Sequence, residues 1–515
     1  MFELLGTALV HILQVKYLLP LFLGTLAGVI GGALPGVTIT MTIIVALPFT
    51  FGLDPLQGLA AMAGLYVGGS AGGLVTAVLL GIPGTPSTVA TTFDGYPMGR
   101  KEPGRALWLG IWGSFFGGML GGVFLIFTTK PLAEFALAFG PWEYFSLFVL
   151  ALSMVAGLVE ASLVKALVSG FIGLIVTVLG NDPMLGGPRL TLGIPFLEGG
   201  IPFLPVLIGV FAFAQIMSEV EKSGGGGSMA PPVANAGSLK VSQLKVIGEI
   251  LSRPFLLVWS AIIGVWIGVL PAIGGSAANI MAYDQAKKFS KHPEKFGTGI
   301  PEGIIASEAG NNANVGGSLV TIMAFGIPGD AVTAVMLGAM TIHGIQSGPL
   351  FIQQHPDIAY GIFAAYIVAH PIMVLILGLG ARFAMRIMTI PKSTLFPIVL
   401  VLCVIGAFAL DNSMDTVYVL LVFGVIGYLM VKAGFPLAPF ILGAILGDQI
   451  EINLIRSIMT DPNPMLFITR PISGGLLLAS VASVVFSLWQ HRRTQRRLAA
   501  AATQPAPSDE DIADF

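Results

Sequence analysis

The sequence predicts an all-α polytopic integral membrane protein, built as two inverted-topology repeats with discontinuous helices and re-entrant segments. Three observations carry this. First, the 515-residue chain is 55% apolar and only 10% charged, whereas soluble domains carry about 25% charged residues. Such a chain cannot cover a water-facing surface, so a soluble enzyme is excluded. Second, apolar runs of the roughly 20 residues that cross a bilayer recur at 17–34, 106–128, 162–179, 253–270, 358–380, 395–410, 416–431 and 472–489. With shorter runs broken by glycine and proline, roughly 10–12 transmembrane crossings are expected. Third, three sequence blocks occur twice, in the same order.

Residues 1–16 lack a basic n-region and a clean apolar stretch, so they read as an amphipathic segment and not as a cleavable signal peptide. Residues 17–218 and 251–490 then form the two transmembrane repeats. Gly28, Gly32, Leu34 and Pro35 match Gly264, Gly268, Leu270 and Pro271. Leu74-Val75-Thr76 followed by Gly81-Ile82-Pro83-Gly84 matches Leu319-Val320-Thr321 followed by Gly326-Ile327-Pro328-Gly329. Pro202, Pro205, Gly209, Gln215 and Ile216 match Pro436, Pro439, Gly443, Gln449 and Ile450. The offsets are 236, 245 and 234. One such block could arise by chance in a Gly/Pro-rich chain; three in the same order indicate a duplication. The stretch 219–250, with SGGGGSMAPPVANAGS, has the composition of a flexible linker. The tail 491–515 begins HRRTQRR and ends acidic, as a disordered cytoplasmic tail would.

Lysine and arginine in short loops set orientation. After the first GIPG come Arg100, Lys101 and Arg105, while the matching loop 343–357 has none. Before the second GIPG come Lys287, Lys288, Lys291 and Lys295, while the counterpart near Asp54-Pro55 has none. The basic loop swaps sides between the repeats, as inverted topology requires. Arg382, Arg386, Lys392 and HRRTQRR extend the inside assignment, placing the C-terminus in the cytoplasm and the N-terminus outside.

A net charge of -2 offers no basic face for nucleic acid. Cys403 is the single cysteine and the six histidines are scattered, so no thiol or histidine metal site is spelled out. H-E-x-x-H, G-x-S-x-G and Walker A patterns are missing, which argues against an enzyme and against ATP-driven transport by this chain.

Substrate and ion sites of inverted-repeat transporters lie near the midplane at half-helix ends. Breaks are expected at Pro35, Pro271 and both GIPG tracts. Thr85, Ser87 and Thr88 follow the first GIPG as helix-capping residues whose free N–H groups suit an anion. Thr38 and Thr40 follow Pro35, and Ser276 and Asn279 follow Pro271; these seven residues are the expected substrate-binding set. The second GIPG leads into Asp330, an anionic cap that suits a cation. With Thr333, Asn311, Asn312, Asn314 and Gly274 it forms the expected Na⁺ set, because hydroxyl, amide and carbonyl oxygens are hard ligands. Blander readings use the same residues: a tight turn for GIPG, a polar interhelical contact or an external loop for the asparagines, a plain helix cap for Asp330. Gly68, Gly69, Ser70, Gly72 and Gly73 read as close-packing positions.

The segments GVIGGALPG, GLYVGGSAGG, LLGIPGTPSTVATTFDGYPM and SEAGNNANVGGSLVTIMAFGIPGD resemble the large membrane subunit of the tripartite tricarboxylate transporters, the TctA family, over residues 17–490. The resemblance implies a bacterial inner-membrane protein taking up carboxylates. It implies a periplasmic solute-binding protein of TctC type, a small membrane subunit of TctB type, and coupling to a cation gradient, with Na⁺ the expected ion and no organic cofactor. Elementary electrostatics also requires coupling. A trianion entering a cell 100 mV negative inside faces about 7 kcal/mol, at roughly 2.3 kcal/mol per charge. A carboxylate channel, or a membrane scaffold that only docks a binding protein, are the competing functions.

Overall fold

The computed structural model describes residues 1–158, 162–182, 186–223, 241–387 and 391–502. The first half opens with α1 (Phe2–Ile12) and α2 (Val15–Ala33). α2 stops where the sequence expected it to, at Leu34-Pro35-Gly36. Pro35 lacks the N–H that would extend the ladder, and Gly36 takes φ +90°. A short helix, α3 (Ile39–Ala46), follows, capped by the Thr38 side chain on Met41 N. α4 (Pro55–Gly72) and α5 (Leu74–Leu80) make one buried span ending at Gly81, whose left-handed φ of +69° a side chain would oppose. Beyond GIPG come α6 (Val89–Gly99) and α7 (Pro103–Ala136). α8 (Pro141–Leu158), α9 (Leu163–Val178), the short α10 (Pro195–Glu198), α11 (Phe203–Leu207), a π-helical turn at Ile208–Phe213, and α12 (Ala214–Ser223) complete this half. A two-residue antiparallel pairing, Gly180 with Arg189 and Asn181 with Pro188, lies between α9 and α10.

α13 (Gln243–Leu251) leads into the second half at a 77° bend. α14 (Pro254–Val269) ends at Leu270, as α2 does at Leu34. Ala272, the positional equivalent of Gly36, also has positive φ, at +53°. α15 (Gly274–Phe289), α16 (Pro301–Phe325) and α17 (Ala331–Ile342) follow, with the second GIPG between the last two. Then come the short α18 (Phe351–Gln354), α19 (Pro356–Ile387), α20 (Lys392–Asp411), α21 (Met414–Lys432), α22 (Leu437–Thr460), the short α23 (Leu466–Thr469) and α24 (Pro471–Ala502).

The duplication is visible as equal contacts at equal positions. A Cβ on Gly28 would lie 2.2 Å from Leu65 O, and one on Gly264 2.1 Å from Gly310 O. Gly32 meets Gly69 O at 2.4 Å and Gly268 meets Asn314 O at 2.3 Å. Gly84 meets Gly32 O at 2.3 Å and Gly329 meets Gly268 O at 2.4 Å. Each pair keeps the sequence offsets, so α2 lies on α4 as α14 lies on α16. Backbones can approach this closely only where no side chain stands between them. The late block is exchanged: α11–α12 pack on α20 and α21, whereas their counterpart α22 packs on α8 and α9.

The loops pair crosswise. A Cβ on Gly299, before the second GIPG, would lie 2.8 Å from Met98 N, after the first. At the other pairing, a Cβ on Gly58 would lie 3.0 Å from His343 Nε2. The basic stretches around 100–105 and 287–295 therefore lie side by side.

Nine helices among the described residues are long and apolar enough to cross a membrane, or ten with the bent pair α13–α14. Ten meets the lower bound of the expected 10–12, and shorter apolar helices such as α8, α9 and α17 would make up the rest of that range. α16 falls outside the nine, yet every residue from Gly303 to Ala324 is buried. It is enclosed by α7, α14 and α15 rather than by lipid, so it tolerates a polar sequence. The linker expected over 219–250 is helical at both ends, through Ser223 and again from Gln243. Its GGGGS part lies outside the described residues. Helix α24 runs to Ala502, well past the 491 at which a disordered tail was expected. The segment expected over 1–16 is α1 and the first two residues of α2. The side chains of Arg382 and Arg386, used for orientation, lie outside the described set.

Candidate functional site

The two GIPG tips and the two helix breaks converge on one cavity of about 300 Å³, whose wall mixes hydroxyl and amide side chains with a larger apolar surface. Each tip is shaped by its own capping box. Thr85 and Thr88 exchange side-chain and backbone bonds at the start of the first tip helix, with Thr88 Oγ1 donating to Thr85 O at 3.0 Å. Asp330 and Thr333 do the same at the second: Asp330 Oδ1 accepts from Thr333 N at 2.8 Å and from Thr333 Oγ1 at 2.9 Å. The break after Pro271 touches both tips. A Cβ on Gly274 would lie 3.3 Å from Asp330 Cβ, and one on Gly275 3.1 Å from Ser87 Cβ and 2.7 Å from Asn311 Oδ1.

Of the residues expected from sequence, Thr38, Thr40, Thr85, Ser87, Ser276, Gly274, Asn311, Asn314 and Asp330 line the cavity. The other four stand behind it. Thr88 and Thr333 complete the capping boxes. Asn312 Nδ2 donates to Glu308 O at 3.1 Å, one turn back on α16. Asn279 braces the first tip helix: its Oδ1 accepts from Ala90 N at 2.7 Å, and its Nδ2 donates to Thr91 Oγ1 and Ser307 O, both at 3.1 Å.

Tyr66, Ser70 and Gln215 also line the cavity, and site reasoning from sequence passed over them. Tyr66 Oη donates to the Asp330 carboxylate. Ser70 O accepts from Asn311 Nδ2 at 2.8 Å. Tyr66 and Ser70 sit among glycines whose pattern signals packing alone. Gln215 recurs as Gln449 in the duplication, and that recurrence was the available signal.

The cavity's charge balance is unusual. Among the described residues its lining holds one carboxylate, that of Asp330, and no lysine or arginine. Asn311 Oδ1 and both polar atoms of Asn314 are buried without a hydrogen-bond partner. Buried amide oxygens of this kind are costly unless a ligand meets them. Three or more His, Cys, Asp or Glu poised to hold a metal ion do not occur together among the described residues. Hydroxyl and amide oxygens around a single carboxylate are hard donors that could hold an alkali cation. A second cavity of about 620 Å³ lies beyond the second GIPG, with Thr341, Gln346, Asp411, Asp448 and Gln449 on its walls.

A multi-pass helical protein with a cavity at the junction of two duplicated halves is the class that these features define. Residues 18–442 match the family described as Tripartite tricarboxylate transporter TctA family. The chain belongs to that family and is a component of a tripartite tricarboxylate transporter. It is 35% identical over 481 residues, 92% of this chain and 94% of the relative, to an Agrobacterium vitis protein described as an uncharacterized 52.8 kDa protein in the TAR-I ttuC' 3'region. A second Agrobacterium vitis protein, from the TAR-II ttuC' 3'region, is 32% identical over 45% of this chain and 97% of its own length. A solved structure of the Eremococcus coleocola manganese transporter, as the H236A mutant, aligns over 91% of this chain and 95% of that one at 14% identity. Its TM-score of 0.13 is too low to define a shared fold.

Proposed function

We propose that this chain is the translocating subunit of a cation-coupled carboxylate uptake system, with Na⁺ as the coupling ion. The observation that carries the proposal is the cavity shared by both tips, with one carboxylate, a ring of hydroxyl and amide oxygens, and no basic side chain. A carboxylate anion entering it needs countercharge, and an accompanying cation supplies that. The substrate carboxylate sits against Thr85, Ser87, Thr38, Thr40 and Ser276, at the start of the first tip helix, where hydroxyls and the helix dipole favour an anion. The cation sits at Asp330, completed by oxygens from Asn311, Asn314 and the Gly274 break. Thr88, Thr333, Asn279 and Asn312 hold these groups in place.

The crosswise loop pairing and the equal Gly contacts support an inverted relation between the halves. On the positive-inside rule, the face carrying Arg100, Lys101, Lys287 and Lys291 is cytoplasmic, and so is the C-terminus. The chain then sits in a bacterial inner membrane beside a small TctB-type subunit and receives substrate from a periplasmic TctC-type protein. The α2–α7 and α14–α19 core moves against the arms α8–α9–α22–α24 and α11–α12–α20–α21 in an elevator-like fashion. Uptake of radiolabelled citrate into vesicles holding all three components tests the reading. Uptake that requires an inward Na⁺ gradient is expected; equal flux with and without the gradient would indicate a channel.

A further inference from the structure

Glu308 lies on α16 behind the cavity, and its side chain is fully enclosed. Its Oε1 is 2.6 Å from Thr91 Oγ1 on α6, and its Oε2 is 2.8 Å from Ser114 Oγ on α7. Neither partner is charged, and Glu308 forms no ion pair among the described residues. An ionised carboxylate isolated in an apolar interior is strongly disfavoured, and the common resolution is a bound proton.

The surrounding network has room for that proton. Thr91 Oγ1 accepts from Asn279 Nδ2 and lies 3.1 Å from Ser307 Oγ as well as beside Glu308. Ser307 Oγ in turn donates to Ile304 O at 3.1 Å. With Glu308 ionised, Thr91 donates to it. With Glu308 protonated, Glu308 donates to Thr91, Thr91 donates to Ser307, and Ser307 donates to the Ile304 carbonyl. The two arrangements differ by one proton and one hydroxyl rotation, and neither leaves a hydroxyl hydrogen without an acceptor.

The other ionisable groups on helices packed against α16 are engaged elsewhere. On α6, Asp94 accepts from Tyr283 Oη of α15 and from three backbone N–H groups. Tyr66 of α4 is bonded to Asp330 at the head of α17. Arg253, beside α14, pairs with Glu302 in the first turn of α16, and Arg105 of α7 pairs with Glu249. Lys287 and Lys288 are exposed at the end of α15, where Lys288 pairs with Asp284. On α19, which packs on α7, Tyr366 Oη donates to Gly118 O at 2.9 Å. His370 Nδ1 donates to Tyr366 O at 2.8 Å, and its buried Nε2 meets no hydrogen-bond partner among the described residues, so nothing there stabilises a second proton on the ring. None of these places a positive charge beside Glu308.

We propose that Glu308 is a proton-binding site separate from the cavity, linked to the first tip helix through Thr91 and Asn279. The proposal does not depend on the cation reading at Asp330. Infrared difference spectra of the purified chain in lipid, recorded between acidic and alkaline buffer, test it. The wild type is expected to show a protonated-carboxyl band that Glu308→Gln removes and Asp94→Asn retains. If Glu308→Gln loses its cooperative melting transition, Thr91→Val serves instead: stripping one hydrogen bond from the carboxyl should shift that band in frequency. Glu308→Gln with every carboxyl band of the wild type, or in its place Thr91→Val with an unshifted band, would overturn the assignment.

Discussion

Tyr66, on α4, donates a hydrogen bond to the carboxylate of Asp330, across the boundary between the two halves. By the offset of 245, the counterpart of Tyr66 is Asn311. Asn311 Nδ2 reaches back to Ser70 O at 2.8 Å, and its Oδ1 is left without a partner. Pseudo-equivalent positions thus do different work: one fastens the anionic tip, the other leaves an oxygen beside Gly275 and the first tip.

Removing the phenol is informative in sign. Tyr66→Phe deprives the Asp330 carboxylate of a hydrogen bond of the charged kind, worth about 1.5–3 kcal/mol. The empty protein should melt lower, and the carboxylate should demand a cation more strongly. The rise in melting temperature on adding NaCl, relative to choline chloride, should therefore be larger in Tyr66→Phe than in wild type.

Asp330→Asn keeps a capping side chain and removes the charge. Expression and the salt-free melting temperature should stay close to wild type, while the Na⁺ concentration for half-maximal uptake rises at least ten-fold, equivalent to about 1.4 kcal/mol. An unshifted Na⁺ dependence would reduce Asp330 to a cap.

Equal glycine contacts predict equal penalties. Gly28→Ala and Gly264→Ala would push a Cβ to 2.2 Å and 2.1 Å from backbone oxygens. Each should cost about 1–3 kcal/mol through overpacking and lower the melting temperature by similar amounts. Gly248→Ala, with nothing within 4 Å, should show no such cost. Strongly unequal effects would mean that the two halves are not packed alike.

Asp94 fastens the basic loop. Its Oδ1 accepts from the N–H groups of Gly297, Gly299 and Ile300 at 2.9, 2.7 and 3.0 Å. Asp94→Ala should free the loop, and trypsin should cut at Lys291 and Lys295 about ten-fold faster, the factor for about 1.4 kcal/mol. Cleavage at the wild-type rate would contradict that role.

Much of this architecture could be read from the chain because its signals are local. A proline without an N–H, a repeated GIPG, and a cap residue after each state breaks and tips in the order in which they occur. Eight of the eleven polar side chains on the cavity wall were legible too, since Thr38, Thr85, Ser276 and Asp330 stand next to those breaks. Helix α16 was harder. Its Glu302, Glu308 and three asparagines lower its hydropathy, and only tertiary enclosure by α7, α14 and α15 makes it an interior helix. Tyr66 was hidden for a related reason: its partner Asp330 is 264 residues away, and the glycines around Tyr66 announce close packing alone. Asp94 likewise serves a loop some 200 residues distant, and nothing near it in sequence marks that partner.

On the proposed function, substrate and cation meet in the cavity between the two tips. Cysteine labelling at its wall tests this most directly, because Cys403 is the only native cysteine and can be replaced by serine. In that background Ser276→Cys places a thiol at the wall, and its reaction with a small methanethiosulfonate reagent is timed in vesicles. Citrate and Na⁺ together should slow labelling at least ten-fold, and either alone should slow it much less. A labelling rate indifferent to both would contradict the site and, with it, the account of coupling built upon it.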